Sequence, residues 1–249
     1  MILITYLPAS RLSDLTDYFK ANIELLRPRK AVVYVDNIVD CGLLKPPIEA
    51  DYVCVNYGNR GETWLDILSN AYVGDVVVDS DVVLDRSFPE VYGKAMGMGA
   101  KMIGIADVSG RPGPRDVVVD GVPYTKVLVN ARGQSPVFFG PKQAVIINHV
   151  PIRDYIDELR DVLSDVPRAV RNCIADETIL GLYALMIGQL RTPWFPAAYN
   201  AGSSSDVCGR RLRAYAYYAL FKSLIRHGIY VAGLSAWLHA MRYRLSWLL

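Results

Sequence analysis

The chain has 249 residues, of which 52% are hydrophobic, and its formal net charge is +2 at pH 7. This hydrophobic content excludes an intrinsically disordered chain, and so small a net charge gives no argument for a nucleic-acid partner. The basic residues are unevenly distributed, because the segment from Asp206 to the end holds six Arg and one Lys against one Asp. A basic tail on a mildly acidic body predicts an anionic partner for the tail.

The first hundred residues alternate between apolar strands and amphipathic helices. Leu12, Leu15, Phe19, Ile23 and Leu26 recur at intervals of three and four, which predicts a helix that ends before Pro28. Apolar runs predict strands at 2–7, 30–36, 52–57, 75–79 and 101–107. Strands of this kind, separated by helices, indicate a mostly parallel sheet covered on both faces. The predicted fold class is therefore α/β, a Rossmann-like sheet flanked by helices.

The pattern changes after residue 108. Asp120-Gly121 lies between β-rich segments and predicts a hairpin, and a second pair of short strands is predicted about Gly140-Pro141. From Pro151 onward the chain is predicted to be helical, with a loop rich in Pro, Gly and Ser from Thr192 to Ser205. These elements predict a mixed-β insertion and C-terminal helices.

The cysteines and the first residues of the chain indicate the cellular compartment in which the protein is expected. Four scattered cysteines, without a Cys-x-x-Cys pair, predict buried free thiols in a reducing cytosol and no zinc site: Cys41, Cys54, Cys173 and Cys208. The first residues, MILITYLPAS, lack the charged region of a signal peptide, and no apolar run reaches the ~20 residues that span a bilayer. We therefore expect a cytoplasmic protein, with peripheral membrane attachment left open.

Polar residues follow three of the predicted strands. Asp36 ends the second strand, 56–60 (NYGNR) follows the third, and Asp79-Ser80-Asp81 ends the fourth. Because the carboxyl ends of parallel strands meet at one edge, these side chains are expected to face one crevice. Asp79 and Asp81 would repel each other unless a cation lies beside them, and oxygen ligands suit Mg²⁺ or Mn²⁺. The alternative is an ordinary solvated turn.

At these residues the sequence resembles the nucleotide-sugar half of the A-type glycosyltransferases with a DxD motif, in particular the large inverting family 2. The similarity lies in VVYVDN and in NYGNRGETWLDILSNAYVGDVVVDSDVV, and it covers residues 1–107 in order of elements. It implies a metal-dependent, hexosyltransferase-like enzyme that uses a UDP- or GDP-sugar and an unidentified acceptor. Residues 1–107 would bind the nucleotide sugar, 108–205 would form the acceptor side, and 206–249 would form basic, aromatic helices.

The resemblance also implies roles for individual residues. Asp36 would hold the base and ribose, Asp81 the metal and diphosphate, and Asp79 the ribose or the metal shell. The remaining residues of the implied nucleotide site are Tyr6, Pro8, Arg60 and Ser80. One position departs from the family, because Asn37 stands where a second acid is usual, which leaves the nucleoside open.

Two further segments carry functional hypotheses. In an inverting transfer a carboxylate takes the acceptor's proton, and the resemblance implies Asp176 as that base with Glu177 second; ordinary first-turn acids are the alternative. Arginines at a helix start favour an anion there, so Arg210, Arg211 or Arg213 would close over the diphosphate, with Arg211 our candidate. Lipid headgroups are a second interpretation, supported by the composition of the last helix (Trp237, Arg242, Arg244 and Trp247), and a solvated helix face is a third.

Three other functions fit parts of the sequence. VVVDSDVVL also matches a phosphohydrolase of the haloacid dehalogenase type, although no second acid pair of that type follows residue 85. A sugar-1-phosphate nucleotidyltransferase would share the sheet, but the segment after the first strand lacks the glycines of its phosphate loop. A sugar-nucleotide-binding protein without catalysis is the third alternative.

Overall fold

The computed structural model describes residues 1–128, 137–202 and 208–230, and residues 232, 233, 237 and 241 singly. Its strands are β1 Ile2–Pro8, β2 Lys30–Asp36, β3 Asp51–Cys54, β4 Val76–Asp79, β5 Val82–Leu84, β6 Met102–Asp107, β7 Asp116–Val119, β8 Val122–Lys126, β9 Ala144–Ile147 and β10 Arg191–Asn200. Its α-helices are α1 Lys20–Leu26, α2 Arg60–Asn70, α3 Phe88–Met96, α4 Arg153–Ser164, α5 Arg168–Arg171, α6 Asp176–Met186 and α7 Arg210–Arg226.

One sheet of ten strands forms the centre of the described chain, in the order β3-β2-β1-β4-β9-β6-β10-β8-β7, with β5 paired to β10. β3, β2, β1 and β4 are parallel, and β10 is parallel to β6. β9 runs antiparallel between β4 and β6. The predicted class, a mostly parallel α/β sheet flanked by helices, is confirmed.

Two hydrophobic clusters cover the sheet. Successive residues of β1 point to opposite faces, so Ile4 and Tyr6 join one cluster while Leu3 and Leu7 join the other. α2, α4, α6 and α7 contribute to the first cluster. α1, α3 and the short helical segment Leu15–Phe19 before α1 contribute to the second. Among the described residues, no helix is both long and apolar enough to cross a membrane.

The region after residue 108 was predicted less well. The hairpin is confirmed, because β7 and β8 pair antiparallel about Asp120 and Gly121, whose φ angles are 50° and 77°. In the second pair of strands only β9 is a strand; Val137 forms an isolated bridge, and Ser135 and Pro136 lie outside the described residues.

The loop predicted from Thr192 to Ser205 is wrong for most of its length, because 191–200 form β10. Its two prolines weakened the strand pattern. Pro196 lies at a register shift in the pairing with β6, and irregular positions of this kind accept proline in a sheet. Trp194 and Ala198 are buried in the sheet, which explains why the segment is a strand.

Candidate active site

A cleft of about 570 Å³ opens at the edge where β1, β2 and β4 end, the place where open α/β sheets bind ligands. It brings together most of the predicted site residues: Tyr6, Pro8, Asp36, Arg60, Asp79, Ser80, Asp81, Asp176 and Glu177. Arg211 is exposed on the first turn of α7 and does not line the cleft, whereas Arg213 does. Arg242, Arg244 and Trp247, which support the lipid hypothesis, lie outside the described residues.

A buried lysine, which the sequence analysis did not single out, lies at the centre of the acids. The Nζ of Lys142 donates to Asp176 Oδ2 at 2.6 Å and to the hydroxyl of Tyr6 at 2.9 Å, and it lies 3.7 Å from Asp79 Oδ1. The Tyr6 hydroxyl is 2.5 Å from Asp79 Oδ1 and 2.8 Å from Asp176 Oδ2. These four side chains therefore form one hydrogen-bonded cluster, which we call the lysine cluster.

The direction of β9 explains how Lys142 reaches the acids. β9 is antiparallel to β4, so the residues just before β9 lie at the edge where β4 ends. The backbone N–H of Asp79 accordingly donates to the carbonyl of Gln143 at 3.0 Å. The available sequence signal was a lysine directly before an apolar run, at 140–143 (GPKQ), which was interpreted only as a turn between two strands.

The pKa values in the lysine cluster are shifted by burial and by the charges of its members. Burial by itself would lower the pKa of Lys142, but the carboxylates of Asp176 and Asp79 outweigh it and raise this pKa well above its ordinary value. Burial opposes ionisation of Asp176, but the ammonium of Lys142 prevails and lowers the pKa of that carboxyl. Burial raises the pKa of Asp79 despite the lysine. Lys142 and Asp176 therefore form a buried ion pair at neutral pH.

Asp176 and Glu177 begin α6, where the helix dipole favours negative charge. Asp176 is buried, and its Oδ1 accepts from the backbone N–H of Glu177 at 3.1 Å. Glu177 is half-buried and lines the cleft. Burial, together with the charge of Asp176, raises the pKa of Glu177 to about 8. Of the two acids, Glu177 is the one that exchanges a proton near neutral pH.

Asp81 has a different cation. Arg11, in the short helical turn after β1, donates to Asp81 Oδ2 at 3.3 Å and also pairs with Asp14. Gly202 lies so close to the same carboxylate that a Cβ at that position would overlap it. The repulsion predicted between the two acids of the motif is thus relieved by two cations of the chain, Lys142 for Asp79 and Arg11 for Asp81.

Asp36 organises the loop after β3. Its Oδ1 accepts from the backbone N–H groups of Asn37, Tyr57 and Gly58 at 2.7, 2.9 and 3.0 Å. Asn37 and Gly58 adopt left-handed backbone conformations, with φ of 64° and 63°, that allow these N–H groups to converge. Among the described residues Asp36 Oδ2 forms no hydrogen bond, so it is available to a ligand hydroxyl.

The four cysteines form two disulfides, so the prediction of four free thiols is wrong. Cys41–Cys54 ties the segment after β2 to the end of β3, and Cys173–Cys208 ties the segment before α6 to the start of α7. Cys173 and Cys208 both line the cleft. The partners are 13 and 35 residues apart in sequence and meet only through the tertiary fold, which spacing does not reveal.

The charges that line the cleft show how the predicted metal ion could be held. Within the described part of the chain, no group of three or more His, Cys, Asp or Glu side chains could hold a metal by itself. Carboxylates and cations nearly balance among the lining residues, Asp36, Asp79, Asp81, Asp176 and Glu177 against Arg11, Arg60, Lys142 and Arg213. A diphosphate would therefore need added positive charge. Mg²⁺ and Mn²⁺ bind through one or two carboxylates plus phosphate oxygens, and Asp81 at the cleft wall fits a divalent ion that enters with such a group.

The sheet and its cleft define a mostly parallel α/β protein whose polar groups gather at the carboxyl edge. Among solved structures it is similar to the galactosyltransferase LgtC in complex with donor and acceptor sugar analogues, at 15% identity and a TM-score of 0.46, over 94% of this chain and 95% of that one. The inositol-1-phosphate CTP transferase of T. maritima matches at 11% identity and a TM-score of 0.42, over 90% and 96% of the two chains. The 2-C-methyl-D-erythritol 4-phosphate cytidylyltransferase of Francisella tularensis matches at 12% and 0.41, over 88% and 99%.

No protein-family model matches the chain. No curated protein matches it in sequence either. Likenesses as distant as those to the solved structures leave the function to be inferred from the residues of the cleft.

Proposed function

We propose that the chain is a glycosyltransferase that binds a nucleoside-diphosphate sugar in this cleft and transfers the sugar to an acceptor hydroxyl. The observation that carries the proposal is the convergence of three kinds of group at one sheet edge. These are a carboxylate with a free oxygen at the end of β2, the acid pair Asp79 and Asp81, and the acidic start of α6. Asp36 Oδ2 would accept from a ribose hydroxyl, the role that an acid at a strand end takes in nucleotide-binding sheets.

The diphosphate would lie where the cations of the cleft gather. Arg11, Arg60 and Arg213 supply guanidinium groups, which bind phosphate oxygens bidentately. Asp81 would hold the Mn²⁺ or Mg²⁺ ion, which supplies Lewis acidity toward the leaving diphosphate. Lys142 would keep the adjacent Asp79 and Asp176 in place, because its ammonium is the shared partner of both carboxylates.

Glu177 is the better candidate for the base, although the resemblance favoured Asp176. The oxygens of Asp176 already accept from Lys142, Tyr6 or the Glu177 backbone, and its pKa is lowered. In an inverting transfer the acceptor oxygen would bond to the anomeric carbon while the bond from that carbon to the diphosphate breaks. The hydroxyl proton would pass to Glu177, and the nucleoside diphosphate would leave. Asp176 acts through Lys142 as a positioning residue.

A thermal-shift panel tests the proposal. UDP-, GDP- and dTDP-sugars are added with and without Mn²⁺ to the wild-type protein and to the variants Asp81→Asn and Asp157→Asn. At least one donor is expected to raise the melting temperature, more strongly with Mn²⁺, and Asp81→Asn should lose the manganese-dependent part. Asp157, an exposed acid on α4, is the matched control and should behave as the wild type. A panel without any stabilising donor would contradict the proposal.

A nucleotidyltransferase is the second candidate, because Arg11 fits the phosphate site of such an enzyme as well as that of a glycosyltransferase. The segment after β1 has no glycine, yet Arg11 in that segment lines the cleft and contacts Asp81. A basic group there would suit the phosphates of a nucleoside triphosphate. The products separate the two functions, since nucleotidyl transfer to a sugar 1-phosphate releases pyrophosphate whereas glycosyl transfer releases a nucleoside diphosphate.

A further inference from the structure

Asn59 carries a buried hydrogen-bond donor without a partner in the wall of the cleft. The residue is 4% exposed and lines the cleft together with Asp36, Asn37 and Gly58. Its Oδ1 accepts from the backbone N–H of Glu62 at 3.1 Å and thereby caps α2. Its Nδ2, by contrast, has no hydrogen-bond partner within the part of the chain that the structure describes. A buried donor of this kind is unfavourable unless something satisfies it.

The orientation of this amide is fixed by the helix cap. If the side chain were flipped, the NH₂ group would face the N–H of Glu62, and two donors would oppose each other. The backbone carbonyl of Asn59 also accepts from the backbone N–H of Thr63 at 3.2 Å. A Cβ on Gly61 would come within 2.9 Å of Asn59 Oδ1, so the glycine allows the close packing here. The side chain is therefore held with its donor turned away from the helix.

Two lining residues close to Asn59 are uncharged, Asn37 and Gly58, and we call them the uncharged end of the cleft. Gly58 precedes Asn59 in the chain and lies close to the side-chain oxygen of Asn37. Arg60 follows Asn59 in sequence but interacts electrostatically with the lysine cluster, so it belongs to the charged end. A nucleotide whose diphosphate meets the cations and whose ribose meets Asp36 Oδ2 would place its base at the uncharged end, beside Asn59.

We propose that Nδ2 of Asn59 selects the base of the donor by donating to the carbonyl oxygen at position 4 of a pyrimidine or position 6 of a purine. Uracil and thymine present such an oxygen at O4 and guanine at O6, whereas cytosine and adenine present an amino group at the equivalent positions. An amino group facing Nδ2 would leave two donors unsatisfied, which a hydrogen-bonding site rejects strongly. This inference rests on the proposed function and narrows its donor to uridine, thymidine or guanosine diphosphate sugars.

Calorimetric titration with UDP, GDP, CDP and ADP in the presence of Mn²⁺ tests the inference. For the wild-type protein, the tighter of UDP and GDP should bind about tenfold or more tightly than either CDP or ADP. Asn59→Ser keeps an oxygen that can cap α2 and removes the donor, so the preference should fall to about twofold or less. Asn59→Asp also keeps the cap but replaces the donor by an acceptor, so CDP or ADP should gain relative to UDP and GDP.

The control is Asn70→Ser, which changes an exposed asparagine at the other end of α2 and should retain the wild-type preference. Equal binding of all four nucleotides to the wild-type protein would overturn the inference while leaving the proposed function intact. An unchanged preference in both Asn59 variants would do the same. If the wild-type protein bound none of the four nucleotides, the proposed function would fail and this inference with it.

Discussion

Lys142 is the residue on which the electrostatics of the cleft depend. It is buried together with Asp176, and its Nζ lies 3.7 Å from Asp79 Oδ1. Replacement by Met would leave those carboxylates without their partner in a poorly hydrated place. Removing one member of a buried ion pair typically costs about 3–5 kcal/mol. We expect Lys142→Met to lower the free energy of unfolding by an amount of this order, measured by urea denaturation at pH 7.

A double variant separates lost charge from lost packing. Lys142→Met combined with Asp176→Asn removes both charges of the pair, so most of the lost stability should return. Lys20→Met, at an exposed position on α1, should change stability by no more than about 0.5 kcal/mol. A loss below about 1 kcal/mol in Lys142→Met would show that the ion pair does not hold the acids as described.

Glu177 predicts the pH dependence of the reaction. Burial raises its pKa to about 8, and only the deprotonated carboxylate can take a proton from the acceptor. The rate constant kcat should therefore rise with pH and level off above about pH 8. Glu177→Gln should lower kcat by about 10²–10⁴-fold, the usual contribution of a general base.

Donor binding supplies the control for Glu177. The Glu177→Gln variant should retain the wild-type donor affinity, because the proposed base would act on the acceptor and not on the nucleotide. A rate profile that falls as pH rises through 7 to 8, or a Glu177→Gln variant with full activity, would contradict the assignment.

At the scale of the elements, the predictions were most accurate for strands that are continuous apolar runs. β2 was predicted with its exact bounds and β1 to within one residue, because continuous apolar runs end there at a charged residue or a proline. β10 was missed because its prolines resemble those of a loop. The direction of β9 cannot be read from its own residues, since an apolar run pairs equally well either way until its neighbours are known.

This explains how much of the site was predictable. Asp36, Asp79 and Asp81 follow parallel strands, and the rule that such strand ends share one edge was sufficient to bring them together. Lys142 precedes a strand that runs antiparallel to β4, so a rule about the carboxyl ends of parallel strands does not apply to it. The two disulfides were missed for a related reason, because their partners meet only through long-range packing.

Each of the two disulfides joins separate segments of the fold, and together they predict that the protein is sensitive to reductants. In the chain-entropy model, closing loops of these lengths contributes about 3–4 kcal/mol each. Reduction should therefore lower the melting temperature by roughly 10 °C or more, as measured by calorimetry with and without a phosphine reductant.

A variant with all four cysteines replaced by serine serves as the control, because it should melt at one temperature under both conditions. A wild-type melting temperature that reductant does not change would contradict the pairing of Cys41 with Cys54 and of Cys173 with Cys208.

At the scale of the whole molecule, the charge distribution predicts how a diphosphate would bind. The body is mildly acidic and the cleft is close to neutral, because each acid of the motif has a cation of the chain beside it. A diphosphate is therefore expected to bind with a divalent ion and weakly without one. Disulfides are uncommon in a reducing cytosol outside hyperthermophiles, so the two disulfides give no support to a cytoplasmic location. That location stays a prediction from the sequence.

The central claim is that a nucleoside-diphosphate sugar binds at the carboxyl edge of the sheet. A crystal structure of the protein with Mn²⁺ and the most stabilising donor tests this most directly. The account predicts ribose density beside Asp36 and diphosphate and metal density between Asp81 and the arginines of the cleft. Donor density at another surface, with this cleft filled only by water, would contradict it.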